Sequence, residues 1–316
     1  MSVSSLINDL LFIVRQINIH AGLFLFICGI LGNLLSILVF LSLRTFRESL
    51  CSFYLTIMSF VNIGQLLTGL LSRATFNLSN IDWTQISWIY CKIHMYFLVV
   101  CTNISMLCMC LATIDQYLAT CHRPYWQRLS DLKYARVLSR ISIIFSVTSA
   151  IPCLIYYIHY LSVVTGKIQC TTTDAFFDRL NVYFYRLIMS NILPLLIILI
   201  FGLLTYRNIQ QIAYRTVPLV RRELDKPLTS MNLVQDVFTF FIFLPITTMA
   251  FISLNPQITR DPLVNAEYQL ANNIAVMFHY SYFAVSELIL VNVKRLILFR
   301  HRFIFISVFL NDFVDS

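Results

Sequence analysis

The sequence predicts an all-α membrane protein: a seven-transmembrane helix bundle followed by a short amphipathic helix. Three observations carry this. Only 12% of the 316 residues are charged and 58% are hydrophobic, whereas soluble domains carry about 25% charge to coat a water-facing surface. Disorder is excluded by the richness in Phe (26 residues), Leu and Ile. Finally, seven runs contain no Asp, Glu, Lys or Arg, each about 19 residues or more, the length a helix needs to cross hydrocarbon with its backbone bonded internally. A membrane barrel would show alternating segments of about ten residues instead.

The runs place the elements in order. Gln16–Leu43 gives a first helix over 17–43. Asp9 and the lack of a basic leader before it make that helix its own insertion signal. Leu50–Ser72 predicts a second helix over 51–71, and Ile93–Ile114 a third over 92–117. Ile141–Gly166 predicts a fourth over 137–158. In the connection that follows, His159–Asn181, the stretch Val163–Gln169 reads as a β-hairpin with Thr165-Gly166 near its turn. Leu187–Tyr206, Val237–Thr259 and Tyr268–Ser286 give helices over 182–206, 229–254 and 269–292. Lys294–Leu310 alternates basic with bulky apolar residues and reads as an amphipathic helix on the inner leaflet, 294–310. No repeat and no mirrored half divides the chain, so 1–316 is one domain.

Lys and Arg in the connections set the orientation. With the N-terminus outside, the cytoplasmic connections hold Arg44, Arg47, the group from Arg123 to Arg140, the group from Arg207 to Lys226, and Lys294, Arg295, Arg300 and Arg302. The opposite side holds only Arg15, Arg73, Lys92, Lys167, Arg179, Arg186 and Arg260. The net charge of +8 therefore faces anionic lipid and cytosolic partners rather than nucleic acid. In this orientation only Cys91 and Cys170 fall at the outer, oxidising surface, which makes them a disulfide candidate; the alternative is two unpaired thiols. Asn77-Leu78-Ser79 is a glycosylation sequon in the first outer loop.

These residues resemble the rhodopsin-like (class A) G-protein-coupled receptors, over nearly the whole chain from Gly22 to about Phe303, and within them an invertebrate peptide-receptor-like branch. Gly32-Asn33 sits where that family has its helix-one Gly-Asn pair. Asp115-Gln116-Tyr117 follows Cys91 at the spacing of the family's Asp-Arg-Tyr, and Ser105 and Leu107 sit where its Ser and Leu recur. Pro194 and Pro245, the latter in Phe243-Leu244-Pro245, match the helix-five and helix-six prolines. The departures are equally specific. Gln116 replaces the arginine, Asn62 the helix-two Asp, and Phe243 the helix-six Trp. Gly202 stands two turns after Pro194 where a Tyr is usual, and Ser286-Glu287-Leu288-Ile289-Leu290 stands in for Asn-Pro-x-x-Tyr.

The resemblance implies a plasma-membrane receptor with an extracellular N-terminus and a cytoplasmic C-terminus. A ligand, a small peptide in this branch, would bind from outside, and a heterotrimeric G protein would dock inside. Ligand-pocket candidates are His94, Leu98, Asn103, Arg186, Asn191, Phe243, His279 and Tyr280. Leu98 argues against a monoamine, and no Lys precedes Lys294 in helix seven to hold retinal. Arg186 with Lys92 makes the mouth basic, which suits a ligand carboxylate. Asp115, Gln116, Tyr117 and Asp225 are the coupling candidates, with Pro245 as the pivot of helix six. Gln116 has no charge, so any latch to Asp225 is weaker than the family's ionic one. Tyr125-Trp126-Gln127-Arg128 and the basic third inner loop form the docking face.

Asn33, Asn62 and Ser105 read as polar helix packing, and without a carboxylate at 62 no strong sodium site is expected. Asp236 and Glu287 are intramembrane acids and so functional candidates. The six His are scattered singly, which excludes a metal or nucleophile constellation: no enzyme and no cofactor are expected. Alternatives are a non-signalling or decoy seven-helix protein, favoured by the clustering of departures in the signalling half, and a channel or transporter.

Overall fold

In a computed structural model of the chain, residues 3–42, 50–79, 82–121, 125–126, 130–161, 168–213, 222–253 and 261–284 are described, apart from the side chains of 212–213 and 222–232. The chain is an all-α membrane protein. Among the described residues six helices are long and apolar enough to cross a bilayer, and a further helix over 262–284 packs among them. We label them α1 (Val3–Ser42), α2 (Leu50–Ser79), α3 (Trp88–Thr120), α4 (Leu132–Tyr156), α5 (Ala175–Gln211), α6 (Arg222–Ile252) and α7 (262–284).

Several helices outrun the spans expected from charge-free runs. α1 begins at Val3 rather than 17, and α5 at Ala175 rather than 182. Charge limits how far a helix sinks into hydrocarbon, not whether it is helical, so Asp9, Arg15, Asp178 and Arg179 extend helices beyond the runs. Three of the starts are capped by side chains. Asp174 Oδ1 accepts from Phe177 N at 2.7 Å to open α5, Ser87 Oγ accepts from Tyr90 N at 3.4 Å to open α3, and Asp261 Oδ1 accepts from Leu263 N at 2.9 Å to open α7. α4 is two segments, Leu132–Ser149 and Ile151–Tyr156, parted at Ala150. Pro152, in the first turn of the second segment, has no N–H to continue the ladder.

Among the described residues two stretches are π-helical: Leu66–Leu71 in α2 and Asn181–Ile192 in α5. In the α-helical stretches, Ser and Thr hydroxyls donate to the carbonyl three or four residues back, as Ser149 does to Ser146 at 3.1 Å and Thr205 to Phe201 at 2.8 Å. In the α5 stretch, Ser190 donates to Tyr185 O at 2.9 Å and Asn191 Nδ2 to Arg186 O, both five residues back. The side chains thus follow the wider i→i+5 turn.

α3 runs through the centre, packed on α2, α4, α5 and α6. The interior is apolar, with Phe40, Leu55, Met58, Met109, Phe243 and Phe283 fully buried. Phe24, Leu38, Ile144, Leu203 and Phe241 point outward and are mostly exposed, as lipid requires. Close approaches use small residues: a Cβ at Gly22 would touch Ala74 Cβ at 3.6 Å, joining α1 to α2.

The connection between α4 and α5 is a β-hairpin, β1 (Tyr157–Leu161) and β2 (Ile168–Thr172), antiparallel with His159 opposite Cys170. Of the expected hairpin stretch Val163–Gln169, Ile168 and Gln169 lie in β2, and 163–167 lie outside the described residues. The expected amphipathic helix 294–310 and Glu287 also lie outside them.

Candidate functional site

The Cys91 end of the bundle is stapled. Cys91, on the first turn of α3, is bonded to Cys170 of β2 with Cα atoms 5.8 Å apart. His159, opposite Cys170, has Nε2 2.7 Å from Thr84 O in the one-turn helix Trp83–Ile86. Asn181 Nδ2 donates to the Tyr157 hydroxyl at 3.0 Å, and burial pushes that phenol above its ordinary pKa. The hairpin is therefore held to α3, to the α2–α3 connection and to α5. Asn77 lies on the last turn of α2: its amide donates to Arg73 O, and its own carbonyl accepts from Arg15 Nε, both at 2.8 Å.

Beneath this staple, α5, α6 and α7 bring together five of the eight ligand-pocket candidates. Arg186 is exposed on the π-helical stretch. Asn191, one wide turn on, donates to the Arg186 carbonyl and accepts from Thr247 of α6 at 3.2 Å. Thr247 sits one turn above Phe243 and also has its hydroxyl 2.7 Å from the Phe243 carbonyl. The Phe243 ring meets His279 edge-on at 5.0 Å and Tyr282 at 5.3 Å. His279 in turn meets Phe283 at 5.1 Å and Tyr280 at 6.1 Å. One hydrogen-bonded and aromatic chain thus runs from Arg186 through α6 to His279 and Tyr280.

Three candidates lie apart from that chain. His94 is turned to α2, with Nε2 2.8 Å from Thr68 O and its ring stacked on Tyr90 at 5.5 Å. Leu98 lies against Gly69 of α2, where a Cβ would come within 2.9 Å of its Cδ2. Tyr280 reaches the same glycine from α7, so Leu98 and Tyr280 share that contact. Asn103 lines an apolar crevice between α3, α4 and α5 with Met106, Phe145, Met189 and Pro194.

At the other end of α3, Asp115 Oδ1 accepts from Ser130 Oγ at 2.6 Å. Gln116 is buried, and the Tyr117 ring contacts Phe201 of α5 edge-on at 5.5 Å. Asp225 lies on the first turns of α6, with its side chain outside the described residues. α6 continues as helix through Pro245 to Ile252. Tyr125 and Trp126 are exposed, with rings 5.8 Å apart.

The polar-packing candidates each bridge helices. Asn33 Nδ2 donates to Gly29 O at 2.8 Å and to Phe283 O at 2.9 Å, joining α1 to α7. Ser105 Oγ donates to Asn62 Oδ1 at 2.7 Å, joining α3 to α2. One bridge escaped the sequence reading. Asp236 stood out as an intramembrane acid, but its partner did not: Thr113 Oγ1 donates to Asp236 Oδ1 at 2.9 Å, joining α3 to α6. Nothing in a lone Thr marks it as the partner of an acid 123 positions away. Among the described residues no group of His, Cys, Asp and Glu could hold a metal ion.

Compared with models of known protein families, residues 32–283 match the 7 transmembrane receptor (rhodopsin family). No curated protein matches the chain.

Proposed function

The chain belongs to the rhodopsin family of seven-transmembrane receptors, and from that membership we propose that it is a plasma-membrane receptor for an extracellular ligand, signalling to a heterotrimeric G protein. The N-terminus and the Cys91 end face outward, in keeping with the excess of Lys and Arg on the opposite connections. The ligand is a small peptide or peptide-like molecule with an acidic group. The observation that carries this is the chain of contacts from Arg186 to His279. A cationic side chain that forms no ion pair among the described residues stands at the head of a polar and aromatic path into the bundle. A guanidinium there matches a ligand carboxylate with two parallel hydrogen bonds. A ligand that binds more tightly when α6 is displaced shifts the receptor toward that state, and α6 moves outward about Pro245.

A second reading has its own observation. Gln116, where the family carries arginine, is buried and uncharged, and Asp115 is bonded to Ser130. A receptor with this inner end binds ligand without activating a G protein. Basal second-messenger output in transfected cells, compared between the wild type and Gln116→Arg at matched surface expression, separates the two. Output from the wild type, or a gain in the variant, supports coupling. A surface-expressed wild type that binds ligand and stays silent supports the non-signalling reading.

A further inference from the structure

The half of α6 between its start and Pro245 carries more buried polar chemistry than packing requires. Gln235, Asp236 and Thr239 lie within about one turn of each other and are 0%, 4% and 1% exposed. Among the described residues, both side-chain polar atoms of Gln235, Asp236 Oδ2 and Thr239 Oγ1 have no hydrogen-bond partner. In apolar surroundings such groups disfavour the packed state, because water would satisfy them and the protein does not. Against this stands one bond, from Thr113 Oγ1 to Asp236 Oδ1 at 2.9 Å. It is a divided bond. The same hydroxyl lies 3.1 Å from Met109 O of its own helix and has a single proton for the two acceptors. On the α5 side the carboxyl faces Gly202, where a Cβ would stand 3.4 Å from Asp236 Oδ2.

We propose that the Thr113–Asp236 hydrogen bond is the latch that holds α6 closed, and that the partnerless polar atoms of Gln235, Asp236 and Thr239 drive it open. The site lies nine residues, about 14 Å, before Pro245, so a small rotation at the proline carries it away from α3 and admits water from the Asp115 end. The latch rests on the α6 movement proposed above but not on any G protein.

The two partners then have opposite effects when removed. Thr113→Val leaves Asp236 with neither oxygen bonded and favours the open state. Asp236→Leu removes the polar group itself, fills the space beside Gly202 with hydrocarbon and favours the closed state. The double variant behaves as Asp236→Leu, and Thr113→Ser, which keeps the hydroxyl, behaves as the wild type. The measurement is hydrogen–deuterium exchange across residues 222–240 of the full chain in lipid nanodiscs, since exchange follows the population of locally opened states. Exchange about fivefold faster in Thr113→Val and about fivefold slower in Asp236→Leu is expected from the net worth of one hydrogen bond, with α1 and α2 unchanged as the control for folding. Faster exchange in both variants, or no change in Thr113→Val while Thr113→Ser remains native, overturns the latch. Opposite shifts in a receptor that binds ligand without second-messenger output leave the latch standing and remove the G-protein reading.

Discussion

Asn33 donates its side-chain amide to the Phe283 carbonyl oxygen at 2.9 Å, so the first helix of the bundle is bonded to the last across 250 positions of chain. The same amide nitrogen also serves Gly29 O. Removing it leaves a buried carbonyl on α7 without its cross-helix donor. Asn33→Leu is expected to lower stability by about 0.5–2 kcal/mol, the range for interhelical bonds in membranes, seen as a lower melting temperature of the purified protein in nanodiscs. An unchanged melt would mean that close packing alone holds α1 to α7.

That packing makes its own prediction. A Cβ on Gly29 would meet Ala284 Cα at 2.9 Å and Leu66 Cδ1 at 2.6 Å. The first of these is backbone and cannot swing aside. Gly69 is crowded by the Tyr280 hydroxyl and Leu98 Cδ2, both at the ends of side chains that can rotate. Gly29→Ala should therefore sharply reduce the folded receptor at the cell surface, by the roughly 1–3 kcal/mol of an overpacked core, and Gly69→Ala should reduce it less. Surface immunostaining of the two variants side by side reads the difference, and equal losses would contradict it.

The Cys91–Cys170 bond closes a sequence separation of 79 residues. Replacing both cysteines with serine is expected to cost about 2–5 kcal/mol and to remove the effect of reductant on the melt. A wild type whose melting temperature is insensitive to reductant under denaturing ramps would show that the hairpin is held by its other contacts, His159 to Thr84 among them.

If Arg186 meets a ligand carboxylate, Arg186→Gln should weaken binding of an acidic peptide ligand by about ten- to a hundredfold, the worth of a hydrogen bond to a charged group. Arg186→Lys should recover only part of it, because an ammonium lacks the planar fork. Competition binding on membranes measures both, and equal affinity across the three proteins would move the acidic subsite elsewhere.

The helices and the disulfide were legible in the sequence because each follows from a simple asymmetry. Hydrocarbon excludes charge, so charge-free runs mark the spans; the Lys and Arg bias assigns two cysteines to one surface, where the bond is found. The polar bridges were half legible. Asn33, Asn62 and Ser105 stood out as polar residues in apolar runs, but Phe283, the backbone partner of Asn33, carries no polar side chain to betray it. Asp236 stood out and Thr113 did not, since which turn of α3 faces which turn of α6 is set by packing. The pocket was legible as a set of residue types and not as a place. Whether His94 looks toward α2 or toward α5 depends on the rotation of α3 about its axis, which a mostly apolar helix of 33 residues does not announce.

The π-helical stretch of α5 has a consequence for anyone placing this chain beside its relatives. Each i→i+5 turn consumes a residue more than an α-turn, and one residue is about 100° of helix phase. Counted backward from Pro194 as though α5 were a plain α-helix, the residues drift progressively out of phase, and at Arg186, midway along the stretch, the drift is of about that size. A column-by-column alignment without a gap would then set Arg186 against residues that face another direction in an unbulged relative. Inferences about ligand class drawn from such columns would concern the wrong side of the helix, and the gap belongs between Asn181 and Ile192.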